Sequence, residues 1–217
     1  MKFRFLFVFL LVSTCSVLTC SAANAATSTI LVFGDSLSAA YGIPREQGWV
    51  NLLQQRLQKQ AANIQVVNAS ISGETTAGGV SRIEAALKQH QPQLVIIELG
   101  ANDGLQGLPL SNMQNNLKTM ITKSQQYKAK VMLIGMMIPP NYGMQYTQEF
   151  KVTYEKLAKQ YQLALVPFLL DGVAGKPALN IDDGLHPNVQ GQPIVFENVW
   201  KVLEPNLIKL GLIHSSK

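Results

Sequence analysis

The sequence predicts an α/β fold: one three-layer domain in which a five-stranded parallel sheet carries helices on both faces. Three observations predict it. Short runs of Val, Ile and Leu recur at regular intervals, segments with helical apolar spacing separate them, and no Pro-, Gly- or Ser-rich linker divides the chain. Continuous apolar runs suit strands buried on both faces. Strands that alternate with helices pair in parallel through right-handed crossovers.

The expected strands are residues 30–33, 64–67, 94–99, 131–137 and 163–168. After the first strand, Trp49, Leu52, Leu53, Arg56 and Leu57 recur at helical spacing. After the second come Val80, Ile83, Ala86 and Leu87, and after the third Met113, Leu117, Met120 and Ile121. A fourth helix is expected over 146–160 and a last one over 193–210.

The N-terminus reads differently. Lys2 and Arg4 supply positive charge, residues 5–12 hold no polar side chain, and Ala23-Asn24-Ala25 ends the segment in small residues. That layout is a secretory signal peptide, expected to span 1–25 and to be cleaved after Ala25, leaving 26–217 as a single exported domain. The apolar run is shorter than the ~20 residues a membrane helix needs, so no stable membrane anchor is expected. The competing reading is a lipid anchor on Cys20, for which Thr19 is bulkier than the residue such processing favours.

Both cysteines, Cys15 and Cys20, lie in the segment to be removed, which excludes disulfides and thiolate-bound metals from the mature chain. No metal and no cofactor are expected. Removing Lys2 and Arg4 lowers the formal net charge from +5 to +3, and the remaining basic residues are scattered singly. A nucleic-acid partner would need them clustered.

In sheets of this kind ligands bind outside the carboxyl ends of the strands. The first such end carries Gly34-Asp35-Ser36-Leu37-Ser38, a hydroxyl on a tight turn into which backbone amides point. On these residues alone, Ser36 or Asp35 could equally cap a helix. The G-x-S-x-G elbow is absent, because Ser38 stands where that motif has glycine. The second end carries 68–75, where Gly73 offers an unobstructed N–H or simply makes a turn. The third carries Gly100-Ala101-Asn102-Asp103, whose side-chain amide is either a ligand donor or a local turn partner. Near the C-terminus stands Asp182-Asp183-Gly184-Leu185-His186-Pro187-Asn188. A serine becomes a nucleophile when a base takes its proton and a carboxylate orients that base, and an Asp-x-x-His turn can supply both groups. His90, at a helix end, and His214, in the tail, read as surface residues.

These four blocks, in this order and at these strand ends, resemble the SGNH hydrolase family, also called GDSL esterases. Stretches 34–41, 68–75, 98–104, 141–143 and 182–188 are similar to its bacterial periplasmic thioesterases, which are also described as lysophospholipases and arylesterases. The resemblance implies a flavodoxin-like SGNH hydrolase fold, a periplasmic location and hydrolysis of carboxylic ester and thioester bonds through an acyl-enzyme. It implies Ser36 as nucleophile, His186 as base, Asp183 in preference to Asp182 as the acid, and an oxyanion hole from Ser36, Gly73 and Asn102. Asp35 and Asp103 read as structural. The loop with Met136, Met137, Ile138, Pro139 and Tyr142 corresponds to the acyl site, with Met137 where the subgroup often has a basic residue. The expected partner is a small-molecule acyl ester or thioester met by a monomer. The rival enzyme reading is a carbohydrate O-deacetylase. A non-catalytic binding domain is the rival from another class, and a nucleotide-binding one lacks a G-x-G-x-x-G or P-loop.

Overall fold

The five apolar runs do form strands, and the computed structural model describes them within residues 27–61 and 63–214, together with Met1. The expected signal peptide, its cleavage point and both cysteines lie outside the described residues. Chain order is β1 (Ser28–Gly34), α1 (Trp49–Gln60), β2 (Ile64–Asn68), α2 (Thr76–His90), β3 (Leu94–Glu98), α3 (Ala101–Leu105), α4 (Leu110–Gln126), β4 (Lys130–Ile134), α5 (Met144–Tyr161), β5 (Ala164–Val166) and α6 (Gln192–Lys209). The strands pair in parallel in the order β2-β1-β3-β4-β5. Helix α1 packs against α6, while α4 packs between α2 and α5, which gives the expected three layers.

The central strands show why the pattern was readable. Ile30, Leu31, Val32 and Phe33 of β1 and Val95, Ile96 and Ile97 of β3 are wholly buried, as strands covered on both faces must be. Helix α2 starts where the Thr75 side chain accepts the Gly78 N–H, and buries Ile83 and Leu87 on one face. It ends at Gln91 in the left-handed region, just before Pro92. Met113, Leu117, Met120 and Ile121 form the buried stripe of α4.

Three expected strands are shorter than the apolar runs that mark them, β3 only by Leu99. β4 stops at Ile134, and the run to Met137 continues as loop. Gly135 still bonds to the β5 end through the Val166 carbonyl, but a Cβ there would meet the Pro167 carbonyl at 2.6 Å. Beyond it Met136 and Ile138 are buried while Met137 points outward, so apolarity here reports burial rather than strand pairing. β5 is only Ala164–Val166, and Pro167 has no N–H with which to extend the ladder. Helix α3 is too short to leave a periodic signal.

Candidate active site

Strand register sets the first part of the site. Gly34, the last residue of β1, is paired with Glu98, the last residue of β3. A Cβ at residue 34 would fall 2.6 Å from Glu98 Oε2, so only glycine allows the buried carboxyl beside the turn. The turn is then braced from several sides. Gly34 N–H donates to Ser70 Oγ at 3.1 Å, Leu37 N–H to Asp35 Oδ1 at 3.0 Å, and Asn68 Nδ2 to the Ser38 carbonyl at 2.7 Å. Asp35, Leu37 and Ser38 are buried, and Ser36 between them is left partly exposed.

The second part is the loop before α6. Its base is pinned by the antiparallel bridge of Asn180 with Pro187 and by Asn180 Nδ2, which donates to the carbonyls of Val173 and Lys176. Asn188 Nδ2 donates to the carbonyls of Ala178 and Asn180. Gly184, at φ +69°, lets the chain turn back so that Asp183 meets its own loop. Asp183 Oδ1 accepts the backbone N–H of Leu185 at 2.8 Å and of His186 at 3.0 Å, while Oδ2 lies 2.6 Å from His186 Nδ1. His186 Nε2 lies 2.8 Å from Ser36 Oγ. Partial burial raises the Asp183 carboxyl, but the amide and ring hydrogens from Leu185 and His186 outweigh it and hold the group below its ordinary range. A carboxylate on Nδ1 selects the tautomer with Nδ1–H, which leaves Nε2 free to accept the serine proton. The Tyr41 ring lies 4.7 Å from the His186 ring, tilted by 46°.

The third part is a set of hydrogen-bond donors. Among the described residues, the backbone N–H groups of Ser36 and Gly73 have no protein partner. Gly73 has φ +77° with open space where a Cβ would be. The Asn102 side chain engages both amide hydrogens, one on the Glu74 carbonyl at 2.9 Å and one on Asp35 Oδ2 at 3.2 Å. The Gly73 loop is anchored by Arg82, which pairs with Glu74 and donates to the Ala69 carbonyl at 2.7 Å. Asp103 accepts from the Thr76 N–H at 2.8 Å and from its hydroxyl, which ties α3 to the start of α2.

A cleft of about 570 Å³ opens over these groups, lined by Ser36, Asn102 and His186 together with Met136, Met137, Ile138 and Pro139. Tyr142, expected in the acyl site, is not part of that lining; its hydroxyl donates to the carbonyl of Leu105, a lining residue, at 2.7 Å. The lining also includes Leu37, Leu105, Phe168, Leu170, Ala174 and Leu185, none of which was expected there. Phe168 and Leu170 follow β5 directly, so the rule that ligands bind at strand ends could have found them. A second cleft, about 620 Å³, lies at the opposite sheet edge beside Lys128, Lys130 and Lys209 and contains none of the site residues.

The chain is similar to known hydrolases along most of its length. Residues 32–194 match the model of the GDSL-like Lipase/Acylhydrolase family. The chain is 48% identical to Esterase TesA of Pseudomonas aeruginosa, over 91% of this chain and 98% of that protein. It is 40% identical to Thioesterase 1/protease 1/lysophospholipase L1 of Escherichia coli K12, over 83% and 86% of the two chains. Among solved structures, the psychrotrophic esterase EstA from Pseudoalteromonas sp., inhibited by monoethylphosphonate, is 42% identical with a TM-score of 0.79, covering 83% of this chain and 98% of that one.

Proposed function

We propose that this chain, which belongs to the GDSL-like Lipase/Acylhydrolase family, hydrolyses carboxylic ester and thioester bonds through an acyl-enzyme on Ser36, with His186 as base and Asp183 as the acid that orients it. The observation that carries this is the unbroken chain from Ser36 Oγ through His186 to Asp183, opening into an apolar cleft.

Ser36 Oγ attacks the acyl carbonyl as His186 Nε2 accepts its proton, and Asp183 stabilises the imidazolium that forms. The tetrahedral oxyanion is met by the Ser36 and Gly73 amides and by Asn102 Nδ2. To reach it, Asn102 shares with the oxyanion the hydrogen of its longer bond, the one to Asp35, while the bond to Glu74 holds the amide in place. His186 then returns the proton to the leaving alkoxide or thiolate, and a water molecule repeats the sequence to release the acid. No cofactor takes part in these steps.

An amide that meets charge only as it develops leaves substrate binding nearly untouched. Asn102→Ala should therefore lower kcat by roughly 10²–10³ with little change in KM, a loss of about 3–4 kcal/mol. A large fall in melting temperature with kcat intact in the folded fraction would instead make Asn102 a structural residue.

The lining of Met136, Ile138, Leu105, Phe168 and Leu170 suits an aliphatic or aryl acyl chain better than an acetylated sugar. Arylesters, acyl-CoA and lysophospholipids are the proposed substrates. Rates measured across p-nitrophenyl esters from acetyl to palmitoyl, beside an acyl-CoA series, should rise beyond acetyl. A maximum at acetyl, with faster turnover of acetylated saccharides, would favour the deacetylase instead.

Export is part of the same proposal, resting on the charged start, apolar run and Ala-x-Ala of the N-terminus. Among the described residues no helix is long and apolar enough to cross a membrane. N-terminal sequencing of periplasmic material should begin at Ala26; a start at a lipid-modified Cys20 would make the protein an anchored lipoprotein.

A further inference from the structure

Behind the nucleophile turn lie two carboxyl groups that the steps above leave unused. Asp35 and Glu98 are both wholly buried and lie side by side where β1 and β3 end, with the Asp35 N–H donated to Glu98 Oε2 at 3.3 Å. Two carboxylates buried this close together repel each other, and a proton held by one of them relieves the repulsion. The other partners show where it resides. Asp35 Oδ1 accepts the Leu37 N–H at 3.0 Å, and Asp35 Oδ2 accepts an Asn102 hydrogen at 3.2 Å. Glu98 Oε2 accepts the Ser38 hydroxyl at 2.7 Å and the Asp35 N–H at 3.3 Å. Glu98 Oε1, equally buried, accepts from no N–H or hydroxyl among the described residues. Three of the four oxygens thus receive hydrogens fixed on other atoms, and the fourth is the one free to carry a proton.

Among the described residues, the ionisable groups that face the pair bring no positive charge in its place. The groups facing the pair are Asp103 on α3, Glu74 in the loop after β2 and the buried Tyr154 of α5, whose hydroxyl donates to the Leu99 carbonyl at 3.1 Å. Arg82 of α2 pairs with Glu74 through Nε and donates to the Ala69 carbonyl through Nη1, with its guanidinium over the Phe33 ring. Burial pushes the Asp35 carboxyl up to about 7, and burial followed by the Asp35 charge pushes Glu98 well above the ordinary range.

We infer that Glu98 is a neutral acid whose Oε1–H is donated to the Asp35 carboxylate, and that the two are positioning residues for the nucleophile turn and for Asn102. Asp35 then gathers three hydrogens, from Leu37, Asn102 and Glu98, and so fixes both neighbours of Ser36 and the amide that meets the oxyanion. An ionised Glu98 would add a second negative charge behind the place where negative charge develops, and the shared proton removes it. The effect on turnover rests on the roles given above to Ser36 and Asn102, whereas the position of the proton does not.

Infrared spectra of the intact protein in deuterium oxide at neutral pH should contain the carbonyl band of a protonated carboxylic acid. The band should shift when the protein is made with carbon-13 in the glutamate side-chain carboxyl, and stay in place with labelled aspartate. Glu98→Gln retains an N–H donor toward Asp35 and an acceptor toward Ser38, so it should abolish the band while keeping kcat within about threefold. Asp35→Asn can accept on one oxygen only, and should lower kcat at least about tenfold with little change in KM. No acid band, a band that follows aspartate, or an active Asp35→Asn beside a crippled Glu98→Gln would overturn the inference. The labelled wild-type spectrum decides the proton's position even if a variant fails to fold. A serine probe that labelled a residue other than Ser36 would overturn the roles in catalysis while leaving the band where it was.

Discussion

Ser36→Ala is expected to lower kcat on every acyl substrate by on the order of 10⁴-fold or more while leaving the fold intact, since removal of a nucleophile disables the whole triad at once. The separation of effects follows from the geometry. The turn is braced by Gly34, Leu37, Ser38 and Asn68, whereas the bond recorded for the Ser36 side chain is the one to His186. Alanine therefore removes the reacting oxygen and little of the support. A fluorophosphonate probe should label the wild-type protein on Ser36, read by mass spectrometry of the digested chain, and should leave the variant unlabelled. Label found on another residue, or wild-type turnover by the variant, would end the assignment.

His186→Ala should cost about as much in kcat, again on the order of 10⁴-fold, because without a base the serine hydroxyl is a weak nucleophile. His90→Ala and His214→Ala should be nearly silent. His90 ends α2 at the edge of the sheet opposite the site, and His214 is exposed beyond α6. The three variants serve as one experiment measured for kcat and melting temperature together. An inactive, fully folded His90→Ala protein would falsify the choice of base.

Much of this was legible before the structure because chemistry in a parallel sheet collects at strand ends, and apolar runs reveal the strands. Ser36 and His186 are separated by 150 positions, yet each stands in its own turn-rich block at the same edge. Asp182 and Asp183 could not be told apart by residue type. Bonding separates them: Asp183 receives two backbone N–H groups and the His186 ring from within its own loop. Glu98 went unread because its neighbours, Leu94 to Ile97, are those of an ordinary core strand. Its role depends on facing Gly34 across the sheet, and strand register is not written in either segment alone. Tyr142 touches the cleft through Leu105, whose carbonyl accepts its hydroxyl, and is not itself part of the lining. Which face of a short Pro- and Gly-rich turn a ring occupies depends on partners such as the Leu105 carbonyl, distant in the chain.

Carrying the proposed base and acid on one pinned loop, three residues apart, simplifies the alignment the site must keep. A triad drawn from three separate segments has two long-range gaps to hold. Here one gap, 2.6 Å between His186 and Asp183, travels with the loop as a unit, and only the 2.8 Å gap to Ser36 spans the fold. A displacement of the sheet against α6 would thus reach the proposed chemistry through a single distance, the one between His186 and Ser36.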